Sequence, residues 1–242
     1  TLNDYEEEGF ENGVPPLQER IDTFRALVDK QGLGAVVWRF DPLLLTEKVN
    51  PELLLAKIEK IGDQLKGYTE KLVFSFADIL SYRKVKTNLE KNHIDYREWK
   101  EDEMIQFATE LAKLNQKWNF QLATCAEKIS LQQFGIAHNK CVDDDLIVRL
   151  AYQDKILMNY LKVTIEDGGL FGLPQNAIAL PNGQMAVKHK GNKDSGQRQF
   201  CGCIASKDIG EYNTCPHLCE YCYANSSKEA AMKNQERHIA RP

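Results

Sequence analysis

The sequence predicts an α/β protein with a partial (β/α) TIM-barrel-like fold of parallel strands and a cysteine-rich, cluster-binding segment at its C-terminal end. Three observations support this prediction. Short apolar runs alternate with helical periodicity through the first half of the chain, and acidic residues follow the apolar runs. Five of the seven cysteines fall between positions 201 and 222. Alternation of helices with buried, apolar strands is typical of a parallel sheet.

The first half of the chain repeats a helix–strand unit three times. Each helix is indicated by apolar residues at helical spacing, and each strand by a short apolar run. Proline marks the start of the first two helices, and acidic residues crowd the first turn of the third. The predicted pairs are helix 14–32 with strand 35–40, which ends at Asp41-Pro42, helix 51–65 with strand 72–76, and helix 102–118 with strand 120–124.

The second half has a looser pattern. Residues 134–141 read as a loop that carries His138 and a thiol, and residues 143–152 as a helix capped by acids. Asn182-Gly183 between short apolar runs predicts a hairpin over 177–187. A helix begins the C-terminal tail. We therefore divide the chain into barrel-like units (1–155), an irregular insertion with a hairpin (156–198) and the cysteine-rich segment with its tail (199–242).

Three acidic residues follow the three predicted strands. Asp41, Asp78 and Glu127 each lie just past a strand end. The C-terminal ends of the strands are where a (β/α) barrel carries its working groups. With Arg39, these residues are candidate catalytic or polar-contact residues. Helix caps, loop residues and a surface ion pair are the alternative interpretation.

The composition argues against a nucleic-acid-binding or membrane-spanning protein. The 242-residue chain is 43% hydrophobic and 27% charged, with a net charge of −4 and a pI near 5.8. These values give no basic footprint for nucleic acid, and the basic stretch 83–91 is interpreted as a solvated helix face. No apolar run approaches the roughly 20 residues that span a bilayer. Seven cysteines without a signal peptide pattern predict a reducing, cytoplasmic location.

The most specific motif is a run of three cysteines, Cys215, Cys219 and Cys222. The spacing Cys-x3-Cys-x2-Cys, with Tyr221 before the last cysteine, is the pattern of radical S-adenosylmethionine (SAM) enzymes. Three thiolates leave one iron of a [4Fe–4S] cluster without a protein ligand. Short cysteine spacings also build structural zinc sites, here from Cys201-x-Cys203 with Cys219-x2-Cys222. Disulfides fit less well, because the cysteine count is odd.

The chain resembles domain-of-unknown-function family 1848, a bacterial family whose C-terminal cysteine cluster is similar to that of radical SAM enzymes. The resemblance rests on motifs spread over nearly the whole chain: WRFDP (38–42), FSFAD (74–78), TCAE (124–127), GIAHNKCVDD (135–144), KDSGQR (193–198) and CGCIASKDIGEYNTCPHLCEYCYAN (201–225). The family also carries an N-terminal segment that supplies the first barrel strands and that this sequence does not contain. We therefore expect the chain to be a fragment.

The resemblance implies a cluster that binds SAM at its open iron. Reductive cleavage of SAM then starts radical chemistry on an unknown substrate, with electrons from a donor such as flavodoxin or ferredoxin. Tyr221, Tyr223 and Asn225 are the implied cofactor-binding residues. The resemblance also sets apart four cysteines, which are the ligand set for a second iron–sulfur cluster or a zinc ion: Cys125, Cys141, Cys201 and Cys203.

Two rival functions stay open. One is a non-catalytic binding protein on an α/β scaffold, stabilised by zinc or by an iron–sulfur cluster. The other is a barrel hydrolase or lyase that uses Asp41, Asp78 and Glu127 with a divalent metal, while the cysteines are structural. The identity of the bound metal separates the first rival from a SAM enzyme. Activity without reductant or SAM is the mark of the second.

Overall fold

The computed structural model describes residues 1–167 and 177–239. The chain divides into two compact units. The first unit consists of Thr1–Ala137 and Asp208–Pro242, and the second of His138–Lys207. Within the described ranges, no helix has the length and apolar character needed to cross a bilayer.

The first unit is a mixed α/β structure around a four-stranded sheet. Its strands stand in the order β1-β3-β5-β6, and both the β1–β3 and β3–β5 pairs are parallel. The sheet strands are β1 (Trp38–Leu43), β3 (Lys71–Phe76), β5 (Gln121–Thr124) and β6 (Ile136–His138), and a small separate sheet pairs β2 (Leu45–Thr46) with β4 (Tyr96–Arg97). The predicted α/β class is confirmed, and the described strands form no closed barrel.

The described part of the first unit also contains five α-helices, three of which bury long apolar faces. The five are α1 (Leu17–Gln31), α2 (Pro51–Leu65), α3 (Arg83–Lys91), α4 (Glu101–Leu114) and α7 (Lys228–Ile239). The side chain of Asn50 caps α2 by accepting from the Leu53 amide at 2.8 Å, and Pro51 occupies its first turn. The three predicted helices of this region are confirmed, although the third ends at Leu114 and continues as a short 3-10 turn.

Two local predictions were wrong. Strand β1 does not end at Asp41-Pro42 but runs to Leu43, with a register shift after Phe40. A proline is tolerated there because β1 is at the sheet edge, where no neighbouring ladder needs its missing amide. The loop predicted over 134–141 contains β6, whose three residues are too short to show an alternating pattern.

The second unit combines two short helices with an antiparallel sheet. The helices are α5 (Asp144–Ala151) and α6 (Lys155–Leu161), and the strands β7 (Val163–Glu166), β8 (Ala177–Ala179) and β9 (Met185–Lys188) stand in the order β7-β9-β8. Asp143 caps α5 as predicted, by accepting from the amides of Asp145 and Leu146. The predicted hairpin is confirmed, because β8 pairs antiparallel with β9.

Candidate metal centre

The loop that carries Cys215, Cys219 and Cys222 packs against the N-terminal segment of the first unit. The backbone amide of Glu220 donates to the carbonyl of Phe10 at 2.9 Å, and the amide of Gly13 donates to the carbonyl of His217 at 2.9 Å. A Cβ atom on Gly13 would lie 2.5 Å from the carbonyl oxygen of Pro216. Only glycine therefore allows this close approach. We call residues 215–222 the cysteine loop.

Asn225 fastens the cysteine loop from its C-terminal side. Its side-chain amide donates to the carbonyl of Cys215 at 2.9 Å, and its backbone amide donates to Sγ of Cys222 at 3.4 Å. The Oδ1 atom of Asn225 is buried and has no hydrogen-bond partner in the described part of the chain. Cys215 is exposed, whereas Cys219 and Cys222 are half-buried.

The half-buried side chain of Tyr221 meets the buried carboxylate of Glu11 beside Cys219. The Tyr221 hydroxyl donates to Glu11 in a short hydrogen bond, and Glu11 also accepts from the Tyr5 amide at 3.2 Å. Burial, with a further contribution from Glu11, raises the pKa of the Cys219 thiol to about 12. The same two causes raise the pKa of Tyr221 above its ordinary value. Without a bound cation, this pocket therefore favours the neutral thiol.

Glu220 anchors the loop through side-chain contacts. Its buried carboxylate accepts from the amide of Asn12 at 3.1 Å and from that of Asn92 at 2.7 Å. It also pairs with the ammonium of Lys228 at the start of α7. Three separate parts of the chain thus converge on one residue between the second and third cysteines.

Polar side chains gather near the C-terminal ends of β1, β3 and β5, although Asp41 lies within β1 and not past its end as the sequence predicted. Asp41 pairs with Arg39 and accepts a short hydrogen bond from the Ser75 hydroxyl. Glu127, which follows β5, accepts from the Phe76 amide at 2.9 Å. The structure thus brings Asp41 and Arg39 into contact, and it fixes Glu127 to the end of β3.

Asn3 joins this sheet edge to the cysteine loop. Its Oδ1 accepts from the backbone amide of Asp41 at 2.8 Å, and its Nδ2 donates to the Asp41 carbonyl at 3.1 Å. The same Nδ2 donates to the hydroxyl of Tyr221 at 3.0 Å. Asn3 is fully buried. The end of β1 and the cysteine loop are therefore separated by one side chain.

Asp78 has a different setting from Asp41. It is exposed and accepts from the Ser81 amide at 3.3 Å, which is the bond of a turn residue. Desolvation raises the pKa of nearby Glu98, and Asp78 adds to that effect. Within the described part of the chain, the carboxylate oxygens of Asp41, Asp78 and Glu127 do not all lie within 4.8 Å of one another. The structure therefore does not bring these three carboxylates to one point, and the thiols of Cys215, Cys219 and Cys222 likewise do not all lie within that distance of one another.

Tyr223 lies just beyond the last cysteine with its ring exposed. Its centroid is 5.8 Å from that of Tyr82, which follows β3, and the two rings are tilted by 45°. Burial of its hydroxyl end raises the pKa of Tyr223, and Asp41 contributes to the increase. Two aromatic side chains thus flank the same polar edge of the sheet.

The second set of cysteines is split between the two units. Cys141, Cys201 and Cys203 all belong to the second unit, whereas Cys125 belongs to the first. Cys203 Sγ accepts from the amide of Cys141 at 3.1 Å and also hydrogen-bonds with Cys201. Burial raises the pKa of the Cys203 thiol. Three of the four cysteines predicted to share a site therefore lie near one another.

One compact group of three acidic residues contains two that are paired with two lysines. Asp143, Asp144 and Asp145 are the one set of three metal-ligand side chains whose ligand atoms all lie within 4.8 Å in the described residues. The ammonium groups of Lys140 and Lys188 each pair with both Asp144 and Asp145. The clustering of these acidic residues is therefore explained by an ion-pair network.

Sequence reasoning missed the residues of the N-terminal segment. Asn3, Glu11 and Gly13 hold the cysteine loop, but they precede it by some 200 positions and form no motif with it. The one local signal is that acidic residues alternate with Tyr5 and Phe10, both of which are fully buried. An acidic loop that carries large apolar side chains is one that packs against other structure.

The fold and site define an α/β protein with a cysteine-bearing loop beside the polar edge of a parallel sheet. The family model described as Domain of unknown function (DUF1848) matches residues 1–224. The chain belongs to this family, which confirms the resemblance inferred from its motifs. Searches of curated proteins and of solved structures gave no match.

Proposed function

We propose that the chain is a radical-SAM-like iron–sulfur protein, in which Cys215, Cys219 and Cys222 hold a [4Fe–4S] cluster whose fourth iron binds SAM. One observation carries the proposal. Asn3 bridges Tyr221 in the cysteine loop and Asp41 at the end of β1. The cysteine loop therefore lies beside the part of β1 that carries Asp41, and such proximity supports reductive cleavage of SAM beside a substrate.

The donor set fits such a cluster. The loop offers three thiols, which leaves one iron without a protein ligand. The Asn225 amide donates to Cys222 Sγ, and hydrogen bonds to cluster sulfurs are among the protein's means of setting the reduction potential. The unpartnered Oδ1 of Asn225 supplies an acceptor beside the third cysteine. This acceptor matches the amino group of a cofactor such as SAM.

When bound, the cluster supplies the electron for cleavage of SAM, and SAM supplies the radical that removes hydrogen from the substrate. The chain's own residues bind and orient. Ser75 and Arg39 fix the carboxylate of Asp41, which makes polar contact with SAM or substrate together with Glu127. Tyr223 and Tyr82 offer ring faces to the adenine. Flavodoxin or ferredoxin is the proposed electron donor, in a reducing cytoplasm.

The barrel-like character of the sheet belongs to the same proposal. Strands β1, β3 and β5 are parallel neighbours; Asp41 lies near the C-terminal end of β1, and Asp78 and Glu127 follow β3 and β5. That arrangement is the one that a (β/α) barrel uses to gather its working groups from several strands. On this interpretation Asp78, which is exposed beside the same edge, is available for substrate rather than for the cluster.

The second candidate is a non-catalytic protein stabilised by zinc or by an iron–sulfur cluster. The observation that favours it is the group of Cys141, Cys201 and Cys203 in the second unit, where Cys203 Sγ accepts from the Cys141 amide at 3.1 Å and hydrogen-bonds with Cys201. A structural metal in the second unit is compatible with catalysis in the first. The second candidate therefore replaces the proposal if the cysteine loop itself binds zinc or holds a cluster that does not interact with SAM.

Product analysis under reducing conditions tests the proposal. Anaerobically reconstituted protein is incubated with SAM and dithionite, and methionine and 5′-deoxyadenosine are measured. We expect both products in equal amounts, none without dithionite, and a loss of product formation in Cys219→Ser. A matched variant, Lys30→Gln, changes an exposed residue of α1 and should keep wild-type product formation. Failure of iron-loaded protein to form either product would overturn the proposal.

A further inference from the structure

Two short segments of the second unit lie side by side and carry four side chains that can bind metal. The amide of Gly202 donates to the carbonyl of Asn139 at 3.4 Å, and that of Ile204 donates to the carbonyl of Val142 at 3.2 Å. The first segment has the spacing His138-x2-Cys141, and the second has Cys201-x-Cys203. The pairing therefore places one imidazole and three thiols on two adjacent segments.

Glycine at position 202 is required for this pairing. A Cβ atom there would lie 2.8 Å from Cγ of Lys140 and 3.4 Å from the carbonyl oxygen of Asn139. The two cysteines on either side of Gly202 are buried. The second segment is thus pressed against the residues between His138 and Cys141.

The sulfur atoms receive hydrogen bonds of the kind that stabilise metal thiolates. Cys203 Sγ accepts from the backbone amides of Cys141 at 3.1 Å and Val142 at 3.4 Å. Cys141 Sγ accepts from the side-chain amide of Asn139 at 3.4 Å. Donors aimed at ligand sulfurs are a feature of metal sites, where outer partners orient the ligands.

His138 supplies an independent observation. Its Nδ1 is buried and has no hydrogen-bond partner in the part of the chain that the structure describes. Its ring stacks on Phe200, which precedes Cys201, with centroids 5.5 Å apart and a 29° angle between the planes. A buried imidazole nitrogen without a partner normally costs free energy, and a metal bond would remove that cost.

We propose that His138, Cys141, Cys201 and Cys203 bind a structural zinc ion. Three thiolates and one imidazole are a common ligand set for tetrahedral zinc. His138 takes the fourth position that the sequence had assigned to Cys125, because His138 belongs to the same unit as the three thiols. No three of these ligand atoms lie within 4.8 Å of one another. Zinc would draw them to about 3.8 Å, given its tetrahedral geometry and sulfur distance.

Metal analysis of matched variants tests the zinc site separately from the cysteine loop. Zinc and iron are measured in the anaerobically purified 242-residue protein. We expect about one zinc per chain in the wild type, and about tenfold less in Cys203→Ser and in His138→Gln, with iron unchanged. The control His189→Gln alters an exposed histidine of the same unit and should keep its zinc. The triple change of Cys215, Cys219 and Cys222 to serine should lose iron and keep zinc.

A second measurement covers the case in which a variant fails to fold. Wild-type protein is alkylated with iodoacetamide with and without a zinc chelator, and the modified cysteines are identified by mass spectrometry. We expect Cys141, although it is exposed, to resist alkylation until zinc is removed, together with Cys201 and Cys203. Cys125 should react equally in both conditions.

Three outcomes would overturn the zinc proposal. They are purified protein without zinc, zinc that persists in Cys203→Ser, and alkylation of Cys141 that does not depend on the chelator. Iron lost from Cys203→Ser would instead show a second iron–sulfur cluster at these residues and would also reject zinc. None of these results bears on the three cysteines of the loop, so the two proposals fail separately.

Discussion

The side-chain amide of Asn3 donates a hydrogen bond of 3.0 Å to the hydroxyl of Tyr221, a residue 218 positions later in the chain. The same amide group also binds the backbone of Asp41. One fully buried side chain therefore couples the first residues of the chain, the end of the first strand and the cysteine loop. Substitutions of Asn3 or of its hydrogen-bond partners should therefore alter the stability of the cysteine loop.

Removing the Tyr221 hydroxyl should destabilise the first unit. In Tyr221→Phe, the Asn3 amide loses one of its two acceptors and the buried Glu11 carboxylate loses one donor. Loss of a hydrogen bond to a buried charged group costs about 1.5–3 kcal/mol. Urea unfolding at pH 7 measures the change. Tyr212→Phe is the control, because that ring is 60% exposed and its free energy of unfolding should change by less than about 0.5 kcal/mol. Equal stability of the two variants would refute the coupling.

A methyl group at Gly13 should displace the cysteine loop. In Gly13→Ala, the new Cβ would lie 2.5 Å from the Pro216 carbonyl, and overpacking of this kind costs about 1–3 kcal/mol. We expect a lower melting temperature and reduced iron incorporation on reconstitution. Gly191→Ala is the matched control, since its Cβ would meet no atom within 4 Å. Normal iron incorporation in Gly13→Ala would show that loop docking does not govern cluster binding.

Replacing the Asp41 carboxylate with a neutral amide should weaken the binding of SAM but leave the iron content unchanged. The carboxylate lies beside Arg39 and Ser75 and makes no contact with a cysteine in the described residues. Loss of one charge-assisted contact costs about 1.5–3 kcal/mol, which corresponds to roughly a 10- to 150-fold weaker affinity. Calorimetric titration of iron-loaded Asp41→Asn with SAM measures it. Asp29→Asn, an exposed change on α1, should bind as the wild type does. Iron loss in Asp41→Asn would mean that Asp41 supports the loop instead.

The ion-pair network around Asp144 should make the second unit sensitive to acid. Burial alone would raise the pKa of Asp144, but hydrogen bonds from Lys140 and Lys188 outweigh it and lower the pKa to about 2 from 3.8. A lowered pKa stabilises the folded state above pH 4, and that contribution disappears as pH falls towards 2. We expect Asp144→Asn to cost about 1–2 kcal/mol at pH 7, after allowance for solvent around Lys140.

The pH dependence of the difference between wild type and Asp144→Asn is the measurement that checks this account. Unfolding is followed from pH 7 to pH 2 in both proteins, so that loss of metal in acid affects both. The difference in free energy of unfolding should shrink below pH 4. A difference that stays constant through this range would contradict the role of the Asp144 charge.

Local sequence patterns predicted regular helices and strands of the first unit. Helix α2 was expected over residues 51–65 and has these bounds, because Pro51 and a run of apolar residues at helical spacing mark it. Strand β3 was equally clear from its apolar run. Strand β6 was missed, since three residues carry too little pattern, and β1 was ended too early at Pro42.

The candidate site was predicted in part. The three cysteines of the loop stand out in the sequence because their spacing is a local property. The residues that hold the loop do not, because Asn3, Gly13 and Asn92 reach it through tertiary contacts. His138 was noted only as a loop residue, and its unpartnered buried nitrogen is visible only in three dimensions.

Electron paramagnetic resonance of the reduced protein tests the central claim most directly. Anaerobically reconstituted protein, with iron and sulfide measured, is reduced with dithionite and recorded with and without SAM. The account predicts about four irons per chain bound at the cysteine loop, and a reduced-cluster signal that SAM perturbs. It predicts no such signal in the triple serine variant of Cys215, Cys219 and Cys222. Zinc bound to the loop, or a cluster signal that SAM leaves unchanged, would contradict it.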